Sequence, residues 1–201
     1  MANSIRASIF AATLLLVAAP PASSQMFSFG VRVGVPLTTV YTTQGIADGG
    51  AFASEDRFTI GPTMEVHLPF HLSFEVDALW RQSSFSTVGG HFNGNLDSSV
   101  NDWQVPFMAK YERKLGPIHP FIDGGVVYRH VSTSSSSVPP PTNPSTAGVT
   151  AGGGVTLKLL RLRLSPEIRY TRWPTPVFSS AYAGPVISTR NQADLLVGVT
   201  F

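Results

Sequence analysis

Between residue 27 and the C-terminus, eight blocks of sequence alternate apolar and polar side chains one for one. In "FSFGVRVGV", Phe27, Phe29, Val31, Val33 and Val35 fall on one side and Ser28, Gly30, Arg32 and Gly34 on the other. The same period runs through residues 57–68, 71–81 and 102–113, where Ile60, Phe74, Val76 and Phe107 oppose Thr59, Glu75, Asp77 and Met108. It is less regular through 119–131, 148–160 and 161–173, and returns in "NQADLLVGVTF", residues 191–201. A period of two marks strands whose faces meet different surroundings, and the 3.6-residue helical period is nearly absent. Each block has about the 9–11 residues that a tilted membrane-crossing strand needs.

The connections carry a second pattern. Three are tight, around "LPFH", "KLGPI" and Leu160–Arg161; four are long, starting at Pro36, Gln82, Ser132 and Pro174. Loops beyond about 12–15 residues are uncommon in compact domains unless functional or disordered. Long and short connections alternate strictly, so all the long ones belong at one end, as in outer-membrane barrels. Pro62, Pro106 and Pro166 fall inside the strands, and a closed barrel has no edge to accept a residue without an N–H. Bulges or rim positions are expected there, and at the runs Gly124–Gly125 and Gly152–Gly154.

Alternation does not say which face meets lipid, because a soluble barrel or sandwich would turn the same apolar set inward. Three features favour the membrane orientation. Gly30, Gly34, Gly61, Gly152, Gly154 and Gly198 all sit in the polar set, where small residues suit a narrow interior. The charges of that set nearly balance: Glu65, Glu75, Asp77, Glu112, Asp123, Glu167 and Asp194 against Arg32, Arg81, Lys110, Arg129, Lys158, Arg163 and Arg169. Charges shut inside a barrel must be paired. Finally, Phe58, Trp80, Trp103, Tyr128 and Tyr170 gather near the long-loop ends of the strands, and Phe27, Tyr111 and Phe201 near the other rim. Such aromatic girdles mark both interfaces of outer-membrane barrels.

Residues 1–25 have one positive charge at Arg6, an apolar run from Ile9 to Ala19 and the small-residue stretch "PPASSQ". This is the layout of a secretory signal peptide, with cleavage expected after Ser24 or after Ala22. The run is too short to span a bilayer core of about 30 Å. The mature domain is then 25–201. The absence of cysteine removes disulfides, thiolate metal sites and Cys nucleophiles. A net charge of +2 with no basic cluster argues against nucleic acid as a partner.

The signal segment, the eight alternating blocks, the one-sided long loops and the terminal "LLVGVTF" resemble the small OmpA/OmpX-type outer-membrane β-barrel family. The resemblance implies an all-β, eight-stranded antiparallel up-and-down transmembrane barrel, located in the bacterial outer membrane. It also implies that Leu195, Val197, Val199 and Phe201 form the signal read by the barrel-assembly machinery. Outer-membrane lipid and lipopolysaccharide would surround a monomer, and the ligand of the surface loops is open.

Candidate chemistry is sparse. In "RHVST", His130 and Ser132 share a face at the loop end of a strand, weakly like the His-x-Ser-Asn motif of lipid A deacylases. Thr133 stands where the Asn would follow, and no carboxylate is assignable to orient the imidazole as a Ser–His mechanism requires. His67 and His71 flank a turn, so their helical metal-pair spacing does not transfer, and His91 and His119 are isolated. No cofactor or metal is expected. An eight-stranded barrel is just wide enough for side chains to fill, so a plugged lumen is expected. The favoured reading is a non-enzymatic barrel displaying four loops; a lipid A-modifying enzyme and a soluble ligand-binding barrel are the alternatives.

Overall fold

The computed structural model describes residues 26–39, 41–43, 51–55, 58–88, 98–133, 141–159, 162–177 and 186–201. The proposed signal segment, both cleavage positions and much of the four long connections lie outside the described residues.

Twelve strands are formed: β1 (Phe27–Pro36), β2 (Tyr41–Thr43), β3 (Ala51–Glu55), β4 (Thr59–His67), β5 (Leu72–Asp77), β6 (Leu79–Val88), β7 (Ser98–Glu112), β8 (Ile118–Thr133), β9 (Ser145–Leu159), β10 (Leu162–Arg172), β11 (Val186–Ser188) and β12 (Asn191–Thr200). Strand β1 closes the ring, because Val31 faces Val199 of β12 on one side and Pro62 of β4 on the other. Strands β5 and β6 are two parts of one wall interrupted at Ala78. Counted so, β1, β4, β5/β6, β7, β8, β9, β10 and β12 make an eight-stranded antiparallel barrel. Strand β3 extends the wall beside β6, and β2 pairs with β11.

The prolines sit differently from expectation. Pro62 and Pro106 flank the same interruption at Asp77–Ala78, where pairing lapses on both sides. Pro166 stays opposite Val197 but faces a gap in the β9 pairing. The register resumes unchanged after each gap, so ladder contacts lapse without a bulge. The glycine runs form no bulges either: Ile118 to His130 pair with β9 in one unbroken register. Strands β7, β8 and β9 also run to 15, 16 and 15 residues, past their predicted limits on the long-connection side. Polar residues such as Asn101, Ser132 and Ser145 continue the ladder there because backbone pairing needs no apolar side chain.

Burial is inverted relative to a water-soluble fold. Phe29, Val31, Val33, Phe74, Ile122 and Ile168 are exposed on the outside, while Arg32, Glu75, Asp77, Lys110 and Arg169 are buried within.

Candidate functional site: the ionic interior

Strict alternation lets each strand send every second residue into the lumen, so charged groups far apart in sequence meet there. Strand β1 contributes Arg32, β5 Glu75 and Asp77, and β10 Glu167 and Arg169. Arg32 Nη1 lies 2.7 Å from Glu75, 2.7 Å from Glu167 and 3.3 Å from Asp77. Arg169 reaches Asp77 at 2.9 Å and Glu75 at 3.0 Å, and its Nε donates to Glu167. Two guanidiniums and three carboxylates thus lock three wall strands together across the lumen. Planar guanidinium forks suit this work because they donate to several carboxylates in fixed directions.

Towards the tight turns, Lys110 lies 3.3 Å from Glu75 and 3.5 Å from Glu65, with its ammonium 4.1 Å from the Phe121 ring centre. Ser73 donates to Glu65 at 2.6 Å. Arg163 pairs with Glu112 at 3.0 Å and donates to His67 Nε2; the other oxygen of Glu112 is 2.9 Å from His119 Nδ1. Towards the long connections, Arg81 pairs with Asp194 at 2.6 Å, and Gln192 donates to the second Asp194 oxygen at 2.8 Å. Arg129 grips Asp102 through Nε and Nη2, at 3.0 and 2.7 Å. A cavity of about 10 Å³ between Thr59, Arg81, Gln104, Thr150, Arg169 and Asp194 has room for about one water.

The structure places every charge predicted to be interior in the lumen except Lys158 at its mouth. Arg163 is half-buried at the turn end, and Lys158 is exposed. Lys158 follows the inward parity but stands one residue from the end of β9, where the lumen opens. Asp123 is buried with neither carboxylate oxygen hydrogen-bonded.

Three interior residues escaped the sequence analysis: Asp102 and Trp173 stand at the margins of predicted strands, and His119 was weighed only as a metal ligand, whereas His67 falls on the polar face of its strand by alternation. Trp173 is 1 % exposed; its indole N–H donates to Gln192, and its ring lies 5.1 Å from the Arg129 guanidinium carbon. Parity could have found each, because Trp173 continues Arg169 and Thr171, and Asp102 precedes Gln104 by two.

Among the girdle residues, Phe27, Phe58, Trp103, Tyr111, Tyr128 and Tyr170 are exposed on the outer face. Trp80 is half-exposed and meets Phe58 edge-on with ring centres 5.9 Å apart. On the closing strand, Leu195 and Val199 are exposed and Val197 and Phe201 half-exposed, on the outer face, and the Phe201 backbone bonds with Phe29 in both directions. His130 and Ser132 also point outward. His130 Nδ1 is 2.9 Å from Ser145 Oγ, and no carboxylate among the described residues pairs with the ring.

A closed eight-stranded wall with this inverted burial can now be set against known proteins. The family model described as "Outer membrane protein beta-barrel domain" matches residues 8–199. The chain belongs to that family. Its place is therefore the outer membrane. Among solved structures, the outer membrane protein OprG from Pseudomonas aeruginosa has a TM-score of 0.56 at 14% identity, covering 88% of this chain and 94% of that one. Neisserial surface protein A gives 0.52 at 12% identity, covering 88% and 96%. Both are likenesses of fold. No curated protein matches.

Proposed function

We propose that this protein is a non-enzymatic, non-conducting outer-membrane barrel whose working surface is the set of long connections at the end opposite Phe201. The observation that carries this reading is the ion-pair lattice of Arg32, Arg169, Glu75, Asp77 and Glu167, which crosses the lumen from wall to wall. A conducting pore needs sites that an ion can both enter and leave, and here the charged groups are engaged with one another. Loops on a rigid scaffold are where binding concentrates. The connection containing "SSSSVPPPTNPS" is suited to contact with a surface or partner, having little to bury. The outward-facing His130, bound to Ser145 and lacking an orienting acid among the described residues, supports the non-enzymatic reading.

The same reading makes the chain a monomer embedded in outer-membrane lipid and lipopolysaccharide, inserted by the barrel-assembly machinery through Leu195, Val197, Val199 and Phe201. The test is reconstitution of the folded protein, verified by heat-modifiable gel migration, into planar bilayers. The expected record has no unitary conductance steps. Sustained steps at low voltage would overturn the closed-lumen reading.

A further inference from the structure

Towards the long connections the interior charges pair off, Arg81 with Asp194 and Arg129 with Asp102. The remaining interior holds six carboxylates, Glu65, Glu75, Asp77, Glu112, Asp123 and Glu167, against four permanent cations, Arg32, Lys110, Arg163 and Arg169. The carboxylates outnumber these cations by two, and Lys158 stands at the open end of the lumen beside Glu65 and Glu112. Five of the six carboxylates have an ion-pair partner; among the described residues Asp123 has none. It is 8 % exposed, and both its oxygens are buried without a hydrogen-bond donor.

The free carboxylate is aimed at two others. One oxygen from each of Glu75, Asp123 and Glu167 lies within 4.8 Å of the other two. Oxygens held at about 2.3–2.6 Å from a calcium ion stand at most about 5 Å apart across it, so the triad has the span of a shared ion. The backbone makes room for this convergence at Gly152. A Cβ there would stand 2.6 Å from Asp123 Oδ1 and 2.8 Å from Glu167 Oε1.

We propose that Glu75, Asp123 and Glu167 form a site for one divalent cation inside the barrel. A cation supplies the partner that Asp123 lacks, and an all-oxygen donor set selects a hard ion such as Ca²⁺ over nitrogen- and sulfur-seeking metals. Arg32 and Arg169 donate to the same two glutamates, so an ion would share Glu75 and Glu167 with the guanidiniums and take Asp123, which has no other partner among the described residues, outright. The site concerns the lumen alone and stands whether or not the loops are the binding surface.

The protein is refolded into detergent without lipopolysaccharide, so that no lipid phosphate contributes, stripped with chelator, and titrated with Ca²⁺ by equilibrium dialysis. One Ca²⁺ per chain is expected, at about millimolar affinity or tighter. Asp123→Asn keeps the shape and removes the charge; it should weaken binding by roughly a hundredfold or more, beyond the usual cost of an outer-shell change. If the Asn variant does not give the compact unheated band, Asp123→Ser takes its place. Wild-type protein that takes up no stoichiometric Ca²⁺ would overturn the site and leave Asp123 neutralised by a proton. Equal binding by a folded Asp123 variant would overturn it as well.

Discussion

The two faces of each barrel strand live in opposite solvents, and comparing them shows what holds this molecule together. On the outside of β1, Phe29, Val31 and Val33 are 51%, 48% and 42% exposed; on the inside of the same strand Arg32 is 1% exposed. A water-soluble barrel would reverse these assignments. The outer face needs only to be apolar, because lipid tails accept any apolar side chain in any register. The inner face is specific, because each buried charge is costly unless a partner from another strand meets it. Identity therefore matters inside and hydrophobicity outside.

Substitutions at three positions probe that contrast, from the largest expected effect to the smallest. Arg169→Met removes a cation shared by Glu75, Asp77 and Glu167. Stranding buried carboxylates should cost about 3–5 kcal/mol, seen as a lower urea midpoint for unfolding from lipid vesicles. A loss under about 1 kcal/mol would mean that the interior tolerates unpaired charge, against the principle that buried charges need partners. Val31→Arg puts a charge on the lipid face near the middle of β1. It should cost roughly 2–4 kcal/mol in the same assay, whereas Val31→Leu should be nearly neutral; equal effects would break the contrast. His130→Ala removes one exposed hydrogen bond to Ser145. It should change stability by less than about 0.5 kcal/mol and leave lipid A unaltered when expressed. A change in lipid A modification traced to this residue would restore the enzymatic alternative.

Much of the fold was legible because alternation is local. Each strand states its own two faces, and each tight turn states that its neighbours are antiparallel. Sequence distance from a turn even locates the rims, which is why Phe58, Trp80, Trp103 and Tyr170 could be assigned to one end. The errors fell where locality fails. Pro62 and Pro106 looked like separate local problems, but they are one interruption at Ala78, visible only when three strands are laid side by side. Lys158 has the correct parity and the wrong height, since parity says inward and says nothing about where the lumen ends.

The amino-acid sequence by itself determined the number of walls, their alternation and the side on which charges would gather. Those properties depend on residues a few positions apart. Only the tertiary structure decided which charge meets which. Arg32 and Glu167 are 135 residues apart in the chain, and their partnership follows from ring closure and register. The same closure turned an apparent balance of seven acids and seven bases into a surplus of carboxylates, by leaving Lys158 outside and bringing Asp102 in. Asp123 carries the physical reason. A charge's worth depends on what stands across the lumen, and that is set by three-dimensional position.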